Sequence, residues 1–268
     1  MRNKNLLIIC FILVLYVCGC SKVPLTNRNQ LTLLPESVMV EMGLTNYRAF
    51  LDTMPLSTDV VHTQQLNNVG SRISTAVDKY LTNNGMSDRL QYFNWEYHLV
   101  EANIVNAWCM PGGKICFYTG ILPYTQNEPG MATVMGHEVA HAVARHGNER
   151  MTQQLLISAG GVALSVFMKN EPELTQNIFL MAYSIGTEVG LSLPYSRKHE
   201  TEADELGLIF MAMAGYNPQE AVNFWKRMSE SGGSSLPEFL STHPDDNTRI
   251  KNLEEFLPEA MKYYEEYQ

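Results

Sequence analysis

The sequence is poor in cysteine, in positive charge and in long apolar runs. Three of its five cysteines lie within the first 20 residues, and the remaining two, Cys109 and Cys116, are too few for a disulfide framework. The formal net charge of −9 argues against a nucleic-acid partner. No run reaches the ~20 apolar residues of a membrane span, and residues 6–17 supply only about a dozen. The whole sequence contains 45% hydrophobic and 18% charged residues, which is the composition of a globular protein.

The apolar run at the N-terminus has the layout of an export signal. Arg2 and Lys4 precede residues 6–17, and small residues lead up to Cys20. This arrangement resembles a bacterial lipoprotein signal in which Cys20 carries the lipid. Plain secretion is the alternative, because Val17 and Cys18 depart from the usual pattern. We therefore expect a signal peptide over residues 1–19, and a lipidated Cys20 with a tether over residues 20–35.

Hydrophobic periodicity divides the rest of the chain into helices and one short sheet region. Apolar residues three and four apart predict helices over 37–51 and 59–83, and nearly everything after 128 has a helical pattern. Residues 90–120 are rich in aromatic and β-branched side chains and are broken at Pro111-Gly112-Gly113, which predicts strands and a hairpin. With no repeat and no interdomain linker, residues 36–268 are predicted to form a single domain of the α+β class, dominated by helices.

Two local features leave alternatives open. A hairpin that turns at Gly112-Gly113 would place Cys109 opposite Cys116, so that these residues form either a cross-strand disulfide, which export favours, or two buried free thiols. The apolar residues 155–168 would span only ~21 Å of a ~30 Å membrane core as a helix. We predict a buried helix there, with a face that touches a membrane as the alternative.

The strongest motif is His137-Glu138-Val139-Ala140-His141, in a segment with a helical pattern. Four residues turn a helix by about 400°, so His137 and His141 share one face and lie one turn apart. Glu138 lies about 100° from His137, close enough to reach water beside a bound metal ion. Imidazole and carboxylate ligands favour Zn²⁺, which takes three protein ligands in hydrolytic sites. The alternative is a pair of helix histidines satisfied by hydrogen bonds in the core.

The third ligand is predicted from the segment that follows Pro194. Glu200 and Asp204 lie four residues apart on one face of a predicted helix, and small residues on that face and at Gly136 would let the two helices approach closely. We assign Glu200 to the metal and Asp204 to the second ring N–H of a ligand histidine. A solvated acidic face is the alternative.

Helical angles place three other ionisable residues away from the metal. His146 is about half a turn out of phase with His137, and it is predicted to end the helix with Gly147 in a left-handed conformation. Glu202 is predicted to face solvent, and His199 is predicted to lie at the surface.

The motifs together resemble a known enzyme family. HEVAH, then YSRKHETEAD some sixty residues later, then AGYNPQEA and THPDDNTRI resemble the zinc metalloproteases that include the CAAX prenyl proteases, the HtpX-type heat-shock proteases and the periplasmic lipoprotein proteases of bacterial envelopes. The resemblance covers about residues 65–257. CAAX and HtpX members have membrane-spanning helices, and this sequence has no apolar run of that length. Among the branches of the family, it is therefore expected to resemble the soluble lipoprotein branch most.

The resemblance implies a zincin-like fold of the gluzincin type, with a small β-sheet whose edge strand borders the active site. It implies one zinc ion per chain, held by His137, His141 and Glu200, and it implies that Glu138 is the catalytic base.

The resemblance also implies roles for two loops. The main chain of a substrate would add to the edge strand near Asn106, Gly112 and Gly113, which are the candidate substrate-binding residues. His243 would lie near the active site, where three interpretations stay open. It could donate a hydrogen bond to the tetrahedral intermediate, it could occupy the fourth zinc position and keep the enzyme latent, or it could be an ordinary loop histidine.

The resulting hypothesis is a zinc endopeptidase that cleaves exported or misfolded envelope proteins. It would be attached to the membrane by a lipid on Cys20 and face the periplasm, with the outer membrane favoured over the inner. The alternative is an envelope chaperone or assembly factor that binds unfolded chains and rarely cuts them. Glu138 favours the protease, since a purely structural zinc site does not require this residue.

Overall fold

The computed structural model describes residues 20–167, 196–230, 239, 243 and 248–268. Its strands are β1 (Cys20–Lys22), β2 (Asn29–Leu31), β3 (Glu96–Val100), β4 (Ala107–Met110) and β5 (Lys114–Tyr118). Its α-helices are α1 (Glu36–Leu51), α2 (Val60–Asn83), α3 (Leu122–Thr125), α4 (Glu128–Val143), α5 (His146–Phe167), α6 (Arg197–Met213), α7 (Gln219–Glu230) and α8 (Arg249–Glu266). Two short 3₁₀ helices cover Ser87–Tyr92 and Thr119–Ile121. None of the helices in these ranges is long and apolar enough to cross a membrane.

The larger sheet has three strands in the order β3-β5-β4. The central strand β5 pairs parallel with β3 and antiparallel with β4, and all five of its residues are buried. β4 is therefore an edge strand, and it packs against α4. A helix-dominated α+β domain with a small sheet beside the motif helix confirms the predicted fold class.

The hairpin between β4 and β5 differs in register from the prediction. Cys109 pairs with Ile115 and Cys116 pairs with Trp108. The connection is a three-residue loop, because Met110 still pairs with Lys114. Cross-strand partners share a face of the sheet and neighbours along a strand alternate, so the two cysteines lie on opposite faces. Both thiols are free, and the predicted opposition of the two cysteines is wrong.

The motif helix α4 lies at the centre of the molecule. Its sequence is apolar or small on nearly every side, and its residues from Gly130 to His141 are all buried, as expected for a helix without a solvent face. The side chain of Asn127 caps its first turn by accepting from the N–H of Gly130. α4 contacts α2, α6, α7 and β4, and its most extensive contact is with α6.

Two glycines set the distance between α4 and α6. A Cβ atom at Gly207 would lie 2.9 Å from the backbone nitrogen of His137, and one at Gly136 would lie 2.8 Å from the carbonyl oxygen of Gly207. Real Cβ atoms do not approach backbone so closely, so larger residues would push the helices apart. The prediction that small residues allow this approach is confirmed at these positions.

The segment predicted as a tether contains a small antiparallel hairpin. β1 pairs with β2, Val23 in the intervening loop is fully buried, and the side chain of Gln30 donates to the carbonyl of Ala144 at 2.8 Å. Cys20 begins β1 and is exposed. The predicted signal peptide, residues 1–19, lies outside the described residues.

The apolar run after residue 155 belongs to α5. Leu155, Leu156 and Val162 are exposed, at 47%, 44% and 66% of their full accessible area. The prediction of a buried helix is therefore wrong for these three side chains.

Candidate metal centre

Four buried side chains from three parts of the chain converge beside α4. His137 and His141 come from α4, Glu200 from the first turn of α6, and His243 from the segment before α8. One ligand atom of each lies within 4.8 Å of the others. Nε2 of His137 is 3.1 Å from Nε2 of His141 and 3.1 Å from Nδ1 of His243. The carboxylate oxygens of Glu200 lie 3.4 Å from each of the two Nε2 atoms.

The donor set and its spacing fit a zinc ion. Bonds of about 2.0–2.1 Å in a tetrahedron separate the ligand atoms by about 3.3 Å. The four separations given above are 3.1–3.4 Å, and no two ligand atoms of the group are more than 4.8 Å apart. The Nδ1 atoms of His137 and His141 face other hydrogen-bond partners. When both ring protons are on Nδ1, the two Nε2 lone pairs face each other and a carboxylate, an arrangement that a cation stabilises. The structure thus brings the predicted set His137, His141 and Glu200 together with His243, the residue that the resemblance placed near the active site.

His137 is supported from the C-terminal part of the chain. Its Nδ1 lies 2.9 Å from Oδ1 of Asp204, as predicted for that residue. Nη2 of Arg249 donates to the same oxygen at 2.6 Å, and Nη1 donates to Glu200 at 3.2 Å. The guanidinium also lies over the ring of Trp225, 3.5 Å from its centroid. Arg249 was not predicted, since nothing in its local sequence marks it apart from its place in the THPDDNTRI segment.

His141 is supported from the opposite direction. Its Nδ1 lies 2.9 Å from Nδ1 of His146, and Nε2 of His146 lies 3.1 Å from Oε2 of Glu202. Glu202 in turn accepts from Nε of Arg28 at 2.8 Å. This sequence of contacts leads from the metal centre to the N-terminal hairpin.

Arg28 connects two buried carboxylates. It donates to both oxygens of Glu149, at 2.8 and 2.7 Å, in addition to its bonds to Glu202. Glu149 also accepts from Nε2 of His199 at 3.0 Å, and the ring of His199 stacks on that of His146 with centroids 4.4 Å apart.

Three predictions from helical angles are therefore wrong. Glu202 was predicted to face solvent and His199 to lie at the surface, but they are only 3% and 4% exposed. Each is buried because it binds in the cluster around Arg28 and Glu149.

The third error concerns His146, which was predicted to end the motif helix with Gly147 in the left-handed conformation. Instead α4 ends at Val143, and Arg145 takes the left-handed conformation with a φ of 61°. His146 then begins α5 and turns back toward His141, so an angle extrapolated along one continuous helix does not apply to it.

The ionisation of this second group follows from burial and pairing. Burial lowers the pKa of His146 to about 4, although Glu202 opposes the shift. Burial opposes ionisation of Glu149 and Glu202 as well, but their histidine partners and Arg28 outweigh it and lower the pKa of each to about 2. At neutral pH two carboxylates and one guanidinium therefore flank a neutral His146 ring.

Glu138 stands beside the four convergent side chains without joining them. Its Oε1 lies 3.4 Å from Nε2 of His243 and makes no hydrogen bond within the described part of the chain. Burial raises the pKa of Glu138 to about 7, although His243 and the N–H of Cys109 favour the charged form. For Glu200, burial is outweighed by the surrounding histidines, which hold its pKa well below the usual value. At neutral pH Glu200 is therefore ionised, whereas Glu138 lies near its own pKa and can exchange a proton.

The predicted substrate-binding residues lie at the two ends of β4. The side-chain oxygen of Asn106 accepts from the N–H of Ala107 at 2.9 Å, which occupies that group at the start of the strand. Gly112 and Gly113 form the turn after β4, with φ angles of 93° and 75°. Their carbonyl oxygens each accept at 3.0 Å from the backbone of residues 94 and 96, so these oxygens are engaged within the fold.

A cleft lies beside His141, between α1 and the end of α4. Met39, Cys109 and Pro111 give it apolar walls. Glu36 and Arg145 also line it and form an ion pair at 2.7 Å. The cleft therefore adjoins both the edge strand and a predicted metal ligand.

Comparisons with known proteins agree with this geometry. Residues 67–257 match the model of peptidase family M48. The chain is 38% identical over 184 residues to the mitochondrial metalloendopeptidase OMA1 of Arabidopsis thaliana, covering 68% of this chain and 36% of the relative. It is 28% identical over 260 residues to the human metalloendopeptidase OMA1, covering 94% and 48%. It is 25% identical over 222 residues to the beta-barrel assembly-enhancing protease of Escherichia coli, covering 80% and 43%.

These alignments span less than half the length of each of the three relatives. The family match itself extends over most of the present chain and includes α4 and α6, which carry His137, His141 and Glu200. The chain belongs to peptidase family M48.

Proposed function

We propose that this protein is a zinc-dependent endopeptidase, in which His137, His141 and Glu200 hold the metal and Glu138 is the general base. The observation that carries the proposal is the pairing of a convergent ligand group with a buried carboxylate oxygen of Glu138 that has no hydrogen bond in the described structure. The names of the relatives, metalloendopeptidase and protease, support the same activity.

The residues divide the chemistry between them. A zinc ion bound by His137, His141 and Glu200 would supply Lewis acidity for the scissile carbonyl and would lower the pKa of water near it toward neutrality. Glu138, with a pKa raised to about 7, accepts a proton from the attacking water and returns it to the leaving nitrogen. Glu200 stays ionised and Asp204 keeps the proton of His137 on Nδ1, so both remain fixed while Glu138 moves the proton.

For His243, the geometry supports the latent interpretation. Its Nδ1 lies 3.1 Å from Nε2 of His137 and 3.2 Å from Glu200, which is the position of a fourth ligand rather than of a donor to a substrate oxygen. A zinc ion with four protein ligands is a closed site, whereas hydrolysis requires an open position. We therefore expect His243 to hold a resting state and to leave the ligand group before cleavage.

The substrate is proposed to be a polypeptide that adds as a strand to the edge of β4 opposite β5, where no other strand pairs among the described residues. β4 packs against the helix that carries Glu138, and the N–H of Cys109 already contacts that carboxylate. The cleft lined by Met39 and Pro111 would receive an apolar side chain next to the scissile bond.

The cellular setting is proposed from the N-terminal sequence and from one relative. The signal-like residues before Cys20 favour export and lipid attachment, and Cys20 itself is exposed. The similarity to a beta-barrel assembly-enhancing protease favours exported or misfolded envelope proteins as substrates.

The test compares zinc content and casein cleavage in the wild type and in Glu138→Gln. We expect one zinc per chain in both proteins, and cleavage only in the wild type, abolished by a chelator and restored by zinc. Cleavage by Glu138→Gln at the wild-type rate would contradict the role of the base.

His243→Ala tests the resting state in the same assay. Removing the fourth ligand should raise cleavage several-fold while the zinc content stays at one per chain. Full zinc content without cleavage in the wild type and in His243→Ala would favour the chaperone alternative.

A further inference from the structure

His141 can offer Nε2 to a metal only when its ring proton is on Nδ1. That proton needs an acceptor, because the ring is buried and 3% exposed. Nδ1 of His141 lies 2.9 Å from Nδ1 of His146. For this contact to be a hydrogen bond that leaves Nε2 of His141 free, His146 must accept through its own Nδ1.

This requirement fixes the proton of His146 as well. A neutral imidazole that accepts through Nδ1 carries its proton on Nε2. Nε2 of His146 lies 3.1 Å from Oε2 of Glu202. An ionised carboxylate has no proton to donate, so Glu202 must be the acceptor of this bond. Each hydrogen bond from His141 to Glu202 therefore has a single direction.

Glu202 is held in place by the N-terminal hairpin. Nε and Nη2 of Arg28 donate to its two oxygens at 2.8 and 2.9 Å, and Oγ1 of Thr26 donates at 2.9 Å. The same guanidinium binds both oxygens of Glu149. Two forked contacts use the planar geometry of arginine, which a lysine ammonium cannot reproduce.

We propose that His146 and Arg28 are positioning residues that hold His141 in the Nδ1–H tautomer and so connect the N-terminal hairpin to the metal centre. The inference rests on the proposed function, in which His141 ligates zinc through Nε2. Without Arg28, Glu202 is no longer held against His146, and His146 is free to place its proton on Nδ1. Two Nδ1–H groups would then oppose each other, and His141 would move its proton to Nε2, the tautomer that cannot bind metal.

The experiment measures zinc affinity by competition with a chelator in the full protein. His146→Leu removes the acceptor while keeping an apolar side chain of similar size, and it should weaken zinc binding by about 10- to 100-fold. His146→Gln keeps an acceptor for His141 and a donor for Glu202, so it should restore affinity to within about 3-fold of the wild type. Arg28→Lys should weaken zinc binding by an intermediate factor of about 10-fold.

Arg89→Gln is the matched control. Arg89, in the 3₁₀ helix Ser87–Tyr92, is also a buried arginine, and it donates to the carbonyl of Val143 at the end of α4 at 2.8 Å. Its loss should lower the melting temperature without changing zinc affinity. His146→Gln binding as weakly as His146→Leu would overturn the inference, because packing alone would then explain both. So would wild-type affinity in a folded Arg28→Lys protein.

A second readout is independent of zinc and of cleavage. Nitrogen-15 chemical shifts of the histidine side chains distinguish the two tautomers in the metal-free protein. We expect His141 to be protonated on Nδ1 in the wild type and in Arg89→Gln, with a measurable Nε2–H population in Arg28→Lys. An Nε2–H tautomer of His141 in the wild type would overturn the inference. If Glu138→Gln cleaved casein while these shifts behaved as expected, the proposed function would fail and the positioning role would stand.

Discussion

The two histidines of the motif are supported in different ways. His137 donates to a carboxylate, Asp204, which is held by Arg249 of α8. His141 contacts a second imidazole, His146, and the chain of contacts reaches a buried arginine only through Glu202. Both supports end in a guanidinium, but one belongs to the C-terminal helix and the other to the N-terminal hairpin. The two histidines are therefore contacted, directly or through other side chains, by the N-terminal hairpin and by the C-terminal helix.

The difference is one of charge as well as of origin. Asp204 places a negative charge next to the ring of His137, which makes its other nitrogen a stronger ligand. His146 is neutral, so it can orient the ring of His141 by a hydrogen bond but adds no charge beside it. Arg249 also contacts Glu200 and lies over Trp225, so the residue that supports His137 also supports the third proposed ligand. We expect damage on the His137 side to have the larger effect.

The largest effect is predicted for Gly207→Ala. The added Cβ would lie 2.9 Å from the nitrogen of His137 and 3.0 Å from the carbonyl carbon of Gly136, and backbone atoms of a buried helix cannot yield locally. α6 must shift and take Glu200 and Asp204 with it. We expect about 1–3 kcal/mol of destabilisation and loss of zinc affinity by about 100-fold or more, measured by denaturant unfolding and chelator competition.

Gly147→Ala is the control for this substitution. Gly147 is a helical glycine with no atom within 4 Å of an added Cβ, so alanine there should be neutral or stabilise by up to about 1 kcal/mol. If Gly207→Ala bound zinc as tightly as the wild type, close approach of the two helices would not be what holds Glu200 and Asp204 against His137.

A smaller effect on zinc affinity is predicted when the residue that contacts each histidine, Asp204 or His146, is replaced by one with a neutral amide. Asp204→Asn keeps an acceptor near Nδ1 of His137 but removes the charge, and it should weaken zinc binding by about 10-fold or more. His146→Gln removes no charge and should cost less than about 3-fold. Both are measured by the same chelator competition. Equal losses at the two positions would mean that charge is not what separates the two supports.

Much of the fold is predictable because its helices carry local signals. Predicted helices over 37–51 and 59–83 correspond to Glu36–Leu51 and Val60–Asn83, since each has a regular apolar face and Asp59 caps the second by accepting from the N–H of His62. Two of the errors lie at chain reversals. The hairpin loop has three residues instead of two, and α4 ends at Val143, three residues before the histidine that was extrapolated along it.

The candidate site also contains residues that a local pattern predicts and residues that no local pattern predicts. The spacing of His137, Glu138 and His141 on one helix, and of Glu200 and Asp204 on another, is a local pattern that helical geometry interprets. Arg28 and Arg249 have no such pattern. Arg28 contacts residues 121 and 174 positions away in the sequence, and no periodicity within one element can indicate a contact of that range.

The smallest effect is predicted at the outer end of the His141 support. Arg28 and His199 hold the pKa of Glu149 at about 2, although burial opposes this shift. A carboxyl whose pKa is depressed in the folded state contributes stability above its unfolded pKa, and this contribution disappears as the pH falls from about 4.5 to about 2. Glu149→Gln should therefore be less stable than the wild type by about 1–2 kcal/mol at pH 7. The difference should shrink below pH 4.5.

The measurement is denaturant unfolding of the metal-free proteins from pH 7 to pH 3, with Glu259→Gln as the control. Glu259 pairs with Lys262 on an exposed face of α8, so its loss should change stability by less than about 0.5 kcal/mol at any pH. Zinc affinity of Glu149→Gln should stay within about 3-fold of the wild type, because Arg28 still holds Glu202 directly. A stability difference that is constant from pH 7 to pH 3 would mean that the ionised carboxylate of Glu149 is not what Arg28 stabilises. The support of His141 would then end at Glu202.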